Sequence, residues 1–124
     1  MSSVPKSLEE YRDTIRALSE LEAMRESLEK KSKDFGLGME IKFLDDQIDE
    51  LNHNLDSLEK KTSKIFKLLL KQDGRAHFLA RLNFHCGYKW EEIADMCNVD
   101  SSETLKSRVY RAFRELREKG YTLE

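Results

Sequence analysis

The stretch that decides the fold covers residues 41–71 and reads IKFLDDQIDELNHNLDSLEKKTSKIFKLLLK. Apolar side chains recur in it at alternating spacings of three and four, with Thr62 as the single exception, which is the seam of a coiled coil rather than the face of an isolated helix. The pattern predicts one helix, roughly 46 Å long, whose seam requires a partner. The seam residues predicted to mediate oligomerisation are Ile41, Leu44, Ile48, Leu51, Leu55, Leu58, Ile65 and Leu69.

A second long amphipathic stretch precedes this one. Its apolar positions follow one another at spacings of three and four from Leu8 to Leu28, and Ser7 and Glu10 have the spacing of a capping box at its start. Residues 35–38 interrupt it, because their two glycines supply the positive φ that a helix exit needs. The two helices are therefore predicted to form a hairpin. Whether it closes within one chain or its seams associate between chains stays open at this point.

After Gly74 the heptad pattern stops, and three shorter amphipathic segments follow. The first is predicted to end near Gly87, the second is very short and contains Trp90, and the third covers about residues 101–119, with Asp100 and Glu103 spaced as a capping box. The predicted fold is all-α, with an N-terminal long-helix coiled-coil hairpin in residues 1–73 and a small helix-turn-helix domain in residues 74–124.

The last segment carries a local basic charge. Residues 104–119 contain six Lys and Arg against two Glu, whereas the whole chain has 22 basic and 24 acidic side chains and a net charge of −2. On a helical wheel its apolar residues occupy one sector and its basic and hydroxyl residues the opposite one. A short helix, a turn and such a helix are the geometry that places the second helix in the major groove of DNA. An ordinary solvated face is the alternative interpretation.

Two short motifs carry a resemblance to a known family. Residues 88–94 (YKWEEIA) and 105–116 (LKSRVYRAFREL) resemble the helix-turn-helix of region four of bacterial sigma factors, and the resemblance covers about residues 76–119. In that family the second helix, here near residues 102–119, reads promoter DNA. The resemblance and the exposed face together imply the DNA-binding residues Ser102, Glu103, Thr104, Lys106, Ser107, Arg108, Tyr110, Arg111 and Arg114, of which Arg108 and Arg114 suit phosphates.

The sequence departs from the sigma pattern at the turn, which has one extra residue between Val99 and Leu105, and at Lys89, where a capping Ser or Thr is usual. Nothing before Gly74 resembles the other sigma regions. The chain as a whole is instead similar to the small late-gene transcription regulators of phages and mobile elements in Gram-positive bacteria. This resemblance implies a DNA-binding transcription regulator, a phage protein of the late-gene activator type.

The expected partners follow from this function. One helix-turn-helix contacts few base pairs, so a homodimer joined through the coiled coil is expected on double-stranded DNA. An activator also contacts RNA polymerase, for which the acidic cluster of Asp45, Asp46, Asp49 and Glu50 offers a surface, unless that cluster is only a solvated face. The alternative function is a coiled-coil adaptor or inhibitor that binds RNA polymerase or another regulator without reading DNA. Activation and repression are both open.

Other classes of function lack their motifs. The sequence has no glycine-rich phosphate loop, nucleophile elbow or metal-ligand spacing, so neither an enzyme nor a metal or other cofactor is expected. Cys86 and Cys97 are expected to be reduced and packed in the core rather than to bind zinc with His77 and His85. The longest apolar stretch, residues 65–70, is too short to span a bilayer, and the start has no signal-peptide run. We therefore expect no membrane association and a location in the cytoplasm of a bacterial host cell.

Overall fold

The computed structural model describes residues 4–123, and within residues 32–35 it describes the backbone alone. All regular structure in this range is helical, which confirms the all-α prediction. The elements are α1 (Lys6–Phe35), α2 (Gly38–Gln72), α3 (Gly74–Ala80), a π-helical turn (Arg81–His85), α4 (Trp90–Met96) and α5 (Ser102–Glu118).

The two long helices, α1 and α2, pack side by side and antiparallel. Near their connection Met24 of α1 and Phe43 of α2 line the same cavity, and far from it Thr14 and Leu58 line another. The helices are joined through Gly36 and the residue after it, and Gly36 has the positive φ of +63° that was expected of a glycine exit. In this structure α1 and α2 therefore form a helical hairpin within one chain.

The seam of α2 is buried to different degrees along its length. Leu44 is 5% exposed near the connection, while Ile65 and Leu69 are 4% and 0% exposed at the other end, where the C-terminal helices cover them. Between these ends α1 is the one described element that lies against the seam, and two helices cannot enclose a core by themselves. The predicted oligomerisation residues that are half-buried are Ile41, Ile48, Leu51, Leu55 and Leu58.

The main hydrophobic core lies where the open end of the hairpin meets the C-terminal helices. It contains Leu8 from α1, Phe66 and Leu69 from α2, Phe84 from the π-helical turn and Phe113 from α5, none more than 1% exposed. Phe84 and Phe113 meet edge to face with ring centroids 6.3 Å apart. The core thus takes side chains from both sides of the boundary predicted near residue 73, so burial joins the hairpin to the C-terminal helices.

Polar contacts from α1 also fix the segment that leads to α4. Arg12 Nη1 donates to Oδ1 of the buried Asn83 at 3.1 Å, and Asn83 Nδ2 donates to the carbonyl of Tyr88 at 2.7 Å. Gly87 has a φ of +81°, and a Cβ there would lie 3.2 Å from Cγ2 of Ile15. The left-handed backbone conformation favours glycine at this position, and a larger residue would also push the Ile15 side chain by a few tenths of an ångström.

Both predicted capping boxes are wrong, each because its helix begins at a different residue. α1 begins at Lys6, so Ser7 lies inside the first turn, where its hydroxyl is buried and has no hydrogen-bond partner among the described residues. At the start of α5 the N-cap residue is Ser101 rather than Asp100, and its side chain makes no capping hydrogen bond. The S/T/D-x-x-E spacing located both helix starts to within one or two residues, which is not enough to fix a cap.

The two cysteines lie in different surroundings. Cys97 is half-buried and packs against the core, as expected, whereas Cys86 is exposed, so the expectation of core packing is wrong for Cys86. Within residues 4–123, apart from the side chains of 32–35, no group of three or more His, Cys, Asp or Glu is arranged to hold a metal ion. No helix in the same described part of the chain is both long enough and apolar enough to cross a membrane.

Candidate nucleic-acid interface

The turn between α4 and α5 is fixed by backbone hydrogen bonds. The N–H of Val99 donates to the carbonyl of Ala94 at 2.9 Å, and the N–H of Asn98 donates to the carbonyl of Asp95 at 3.2 Å. This pair of bonds is a Schellman motif, which needs a left-handed residue, and Asn98 supplies it with a φ of +54°. Val99 then packs against the core, so the direction in which the chain enters α5 is set by local bonds and by burial together.

The short helix α4 begins without the usual hydroxyl cap. Lys89 is its N-cap residue, and a lysine side chain cannot accept a hydrogen bond from the first turn. The Glu92 carboxylate instead accepts from the N–H of Lys89 at 3.0 Å, and its charge lies favourably at the helix N-terminus. Ile93 and Ala94 are buried, and Trp90 is half-buried against the core. Burial therefore compensates for the weak cap.

Helix α5 buries one face and exposes the other. Its buried residues, all 5% exposed or less, are Leu105, Val109, Ala112, Phe113 and Leu116. The predicted DNA-binding residues on the opposite face that are exposed are Glu103, Thr104, Ser107, Arg108, Arg111 and Arg114. Lys106 and Tyr110 are half-buried at the edge of that face, and Ser102, also half-buried, lies at the N-terminal end of the apolar face. The structure thus brings the predicted residues other than Ser102 onto the outer side of one helix.

Arg108 makes a contact that the sequence did not predict. Its Nε and Nη2 donate to the two carboxylate oxygens of Asp73, each at 3.1 Å. Asp73 also caps α3, because its carboxylate accepts from the N–H groups of Arg75 and Ala76 at 3.1 and 3.2 Å. The hydrogen bond from Arg108 holds the pKa of Asp73 below its ordinary value, and the two backbone bonds act in the same direction. Arg108 is thus directed towards the junction of α2 and α3, and its contact with phosphate stays a prediction.

We predict that this ion pair makes stability depend on pH. Because the pKa of Asp73 is lower in the folded state, its contribution is fully present above the ordinary value of 3.8 and is lost as the pH falls through the lowered value. Asp73→Asn keeps a capping side chain but removes the charge, so it should unfold at lower urea than wild type at pH 7 and no longer differ from it at the lowest pH. Equal stabilities at pH 7 would contradict the prediction, and Asp73→Ala should lose about 1 kcal/mol more because the cap is lost too.

The other end of α5 is held by the last residue of α2. Gln72 Nε2 donates to Oε2 of Glu115 at 2.8 Å, and Gln72 Oε1 accepts from Nζ of Lys119 at 2.5 Å. Sequence reasoning missed both Gln72 and Asp73, because their partners are 35 to 47 residues away along the chain. The one local indication in the sequence was for Asp73, because an Asp at the start of a helix favours the N-cap position. These contacts fix the direction of α5 relative to the hairpin.

The remaining basic residues of this face differ in whether they contact other side chains. Nζ of Lys106 lies 5.5 Å from the ring centroid of Tyr110, within the range of a cation–π contact, and Tyr110 itself packs against the core. By contrast, no hydrogen bond or ion pair joins Arg111 or Arg114 to another side chain in the described part of the molecule. These two guanidinium groups are exposed and retain all their donors for a ligand.

The described residues define an all-helical protein in which a long hairpin and a shared core carry a helix with a basic, hydrogen-bonding outer face. Comparisons of this chain with models of protein families, with curated proteins and with solved structures found no match.

Proposed function

We propose that this protein is a sequence-specific DNA-binding transcription regulator of the phage late-gene activator type. In this proposal α4, the turn and α5 act as a helix-turn-helix, and α5 enters the major groove. The observation that supports it most directly is the outer face of α5, where Ser107, Arg111 and Arg114 are exposed beside one another and held by no other element. The resemblance of residues 88–94 and 105–116 to sigma region four supports the same function.

Each residue type on this face has a role that its chemistry favours. Arg111 presents a planar guanidinium that can bind two acceptors on a guanine edge, and Ser107 one turn before it can donate to or accept from a base. Glu103 and Thr104 lie in the first turn, the part of a recognition helix that contacts base edges. Arg114 lies one turn further on and suits a phosphate, as does Lys106 at the edge of the face. Base contacts would provide specificity and phosphate contacts most of the affinity.

We predict that removing the two exposed arginines strongly weakens specific binding. Arg111→Ala combined with Arg114→Ala deletes one base contact and one phosphate contact, so affinity for the cognate duplex should fall about 10- to 100-fold or more. The cognate duplex is found first by fluorescence anisotropy of wild type against a pool of duplexes from its own genetic neighbourhood, at two salt concentrations. The matched control is Lys31→Ala with Lys42→Ala, which removes the same charge from exposed sites on α1 and α2.

The outcomes separate charge from recognition. If the control variant binds like wild type and the arginine variant does not, the outer face of α5 is the reading surface. If wild type shows no affinity for any duplex even at low salt, where nonspecific attraction is strongest, the DNA-binding proposal is wrong. Equal losses in both variants would show binding by net charge alone and would also contradict the proposal.

The proposal includes a homodimer, in which α1 and α2 form a coiled coil and the half-buried middle of the seam contacts a second chain. Leu51, Leu55 and Leu58 retain apolar area that α1 does not cover. Two helix-turn-helix units on adjacent half-sites would supply the specificity that one lacks. Sedimentation at micromolar concentration tests this part separately, because a monomer that still binds its duplex would overturn the dimer and leave the DNA-binding function intact.

A second candidate function, the adaptor that binds RNA polymerase or another regulator without reading DNA, is favoured by a different surface. At the closed end of the hairpin Met24, Met39 and Phe43 are 52%, 85% and 62% exposed. Exposed apolar clusters of this kind mark protein contacts, and Asp46 and Asp49 are exposed on the next turns of α2. The adaptor is correct if wild type has no DNA affinity and Lys106→Ala with Arg111→Ala still abolishes its effect on transcription, and that result would place a partner contact on α5 as well as at the closed end of the hairpin. In either function the protein is proposed to act in the bacterial cytoplasm, without catalysis or a cofactor.

A further inference from the structure

The last three turns of α2 carry a row of lysines. Lys60, Lys64, Lys67 and Lys71 follow one another at spacings of four, three and four, so they lie on one face of the helix. All four are exposed. We call these four residues the lysine row.

Three members of the lysine row, Lys64, Lys67 and Lys71, have no acidic residue three or four positions away on α2, whereas Lys60 has Asp56 four residues before it. Successive members are three or four apart, where like charges repel and destabilise a helix, and residues 60–72 contain no Asp or Glu. None of the four takes part in an ion pair between described side chains, whereas Arg25 on α1 pairs with both Glu29 and Asp45. The fold therefore tolerates a concentrated positive charge that a polyanion would relieve.

The lysine row lies next to α5. Lys71 directly precedes Gln72, which accepts a hydrogen bond from Lys119 at the end of α5. Lys60 and Lys64 line a cavity together with Thr122 and Leu123, the residues that follow α5. The row thus lies beside the C-terminal end of α5 and the residues that follow it.

We propose that the lysine row is a second DNA contact, which binds backbone phosphates of the duplex whose major groove α5 reads. This inference rests on the proposed function. From Lys60 to Lys71 the row extends about 16 Å. Over the same length of duplex axis, one strand of B-DNA carries about five phosphates. Lysine ammonium groups are flexible point charges that suit phosphates rather than base edges. The row therefore adds affinity and fixes how the hairpin lies against the duplex, and it adds no sequence preference.

The test is the salt dependence of binding by the full chain. Lys64→Gln, Lys67→Gln and Lys71→Gln together remove three phosphate contacts, so the slope of log affinity against log salt should become less steep by about 2.7. Between 50 and 200 mM salt, wild-type affinity should accordingly fall about 40-fold more than that of the triple variant. The matched control is Lys30→Gln, Lys31→Gln and Lys42→Gln, which removes the same charge from the distal half of the hairpin and should keep the wild-type slope.

Further variants separate this inference from the proposed function. The variant with Lys64→Arg, Lys67→Arg and Lys71→Arg keeps the positive charge, so it should keep the wild-type salt slope. If the lysines had a purely structural role, there would be no reason for the slope to follow their charge. If the glutamine variant has the wild-type slope while Arg111→Ala with Arg114→Ala loses binding, the lysine row is not a DNA contact and the reading helix stands. If wild type binds no duplex, both proposals are wrong. A glutamine variant that loses preference between cognate and unrelated duplexes would also overturn the inference, because phosphate contacts carry no sequence information.

Discussion

Replacing Phe113 by alanine is expected to destabilise the folded chain by about 3–5 kcal/mol. Phe113 is fully buried in α5, and its ring meets that of Phe84 edge to face at 6.3 Å. The substitution removes the ring contact between α5 and the π-helical turn and leaves a cavity that the neighbouring helices cannot close without moving. Because small proteins have total stabilities of about 5–15 kcal/mol, this loss is about a fifth of the stability or more.

The measurement is urea denaturation followed by far-ultraviolet circular dichroism, and the chain supplies its own control. Phe43 has the same side chain but is 62% exposed at the closed end of the hairpin. Phe43→Ala should therefore change the free energy of unfolding by about 0.5 kcal/mol or less. If Phe113→Ala were as mild as Phe43→Ala, α5 would not be packed on the shared core, and the orientation of its outer face would lose its structural basis.

The second large effect is expected at Leu69, near the end of the α2 seam. Leu69 is 0% exposed and lies among residues of α1, α3 and α5 in the shared core, so Leu69→Ala should cost about 2–5 kcal/mol. Leu55 occupies the same heptad position two repeats earlier but is only half-buried against α1. In the monomer, Leu55→Ala should cost about 1 kcal/mol, because α1 alone covers little of its apolar area. In the proposed homodimer, its cost should approach that of Leu69→Ala.

Denaturation of these two variants also reports on self-association. In a monomer their costs differ as stated and do not depend on protein concentration. If a second chain covers the middle of the seam, Leu55→Ala should cost as much as Leu69→Ala, and both midpoints should rise with concentration. Equal costs without a concentration dependence would contradict the burial pattern along α2.

Much of the helical architecture could be predicted, because it depends on local spacing. The alternation of apolar residues in 41–71 is sufficient to predict a long helix. The glycines of 35–38 are sufficient to predict the break between that helix and the one before it. The same pattern did not show that Leu55 and Leu69 differ. Their difference comes from α3 and α5, which cover one end of the seam and not its middle.

The candidate site could be predicted only as a face. Placing Ser107, Arg111 and Arg114 opposite Val109 and Phe113 requires nothing beyond the helical repeat, and the structure agrees. The engagement of Arg108 by Asp73 could not be predicted in the same way, because it depends on where the end of α2 meets α5. The lysine row was readable from its spacing, yet its position beside α5 was not.

The sequence by itself determined that this protein is helical, where its helices run and which side of each is apolar, because a helix repeats every 3.6 residues and each stripe is a property of one short stretch of chain. The tertiary structure alone decided which stripes meet and which cations remain exposed. Arg12 reaches Asn83 across 71 residues and Arg108 reaches Asp73 across 35. Contacts between residues so far apart in the sequence depend on the packing of the whole chain, which cannot be predicted from the spacing of neighbouring residues.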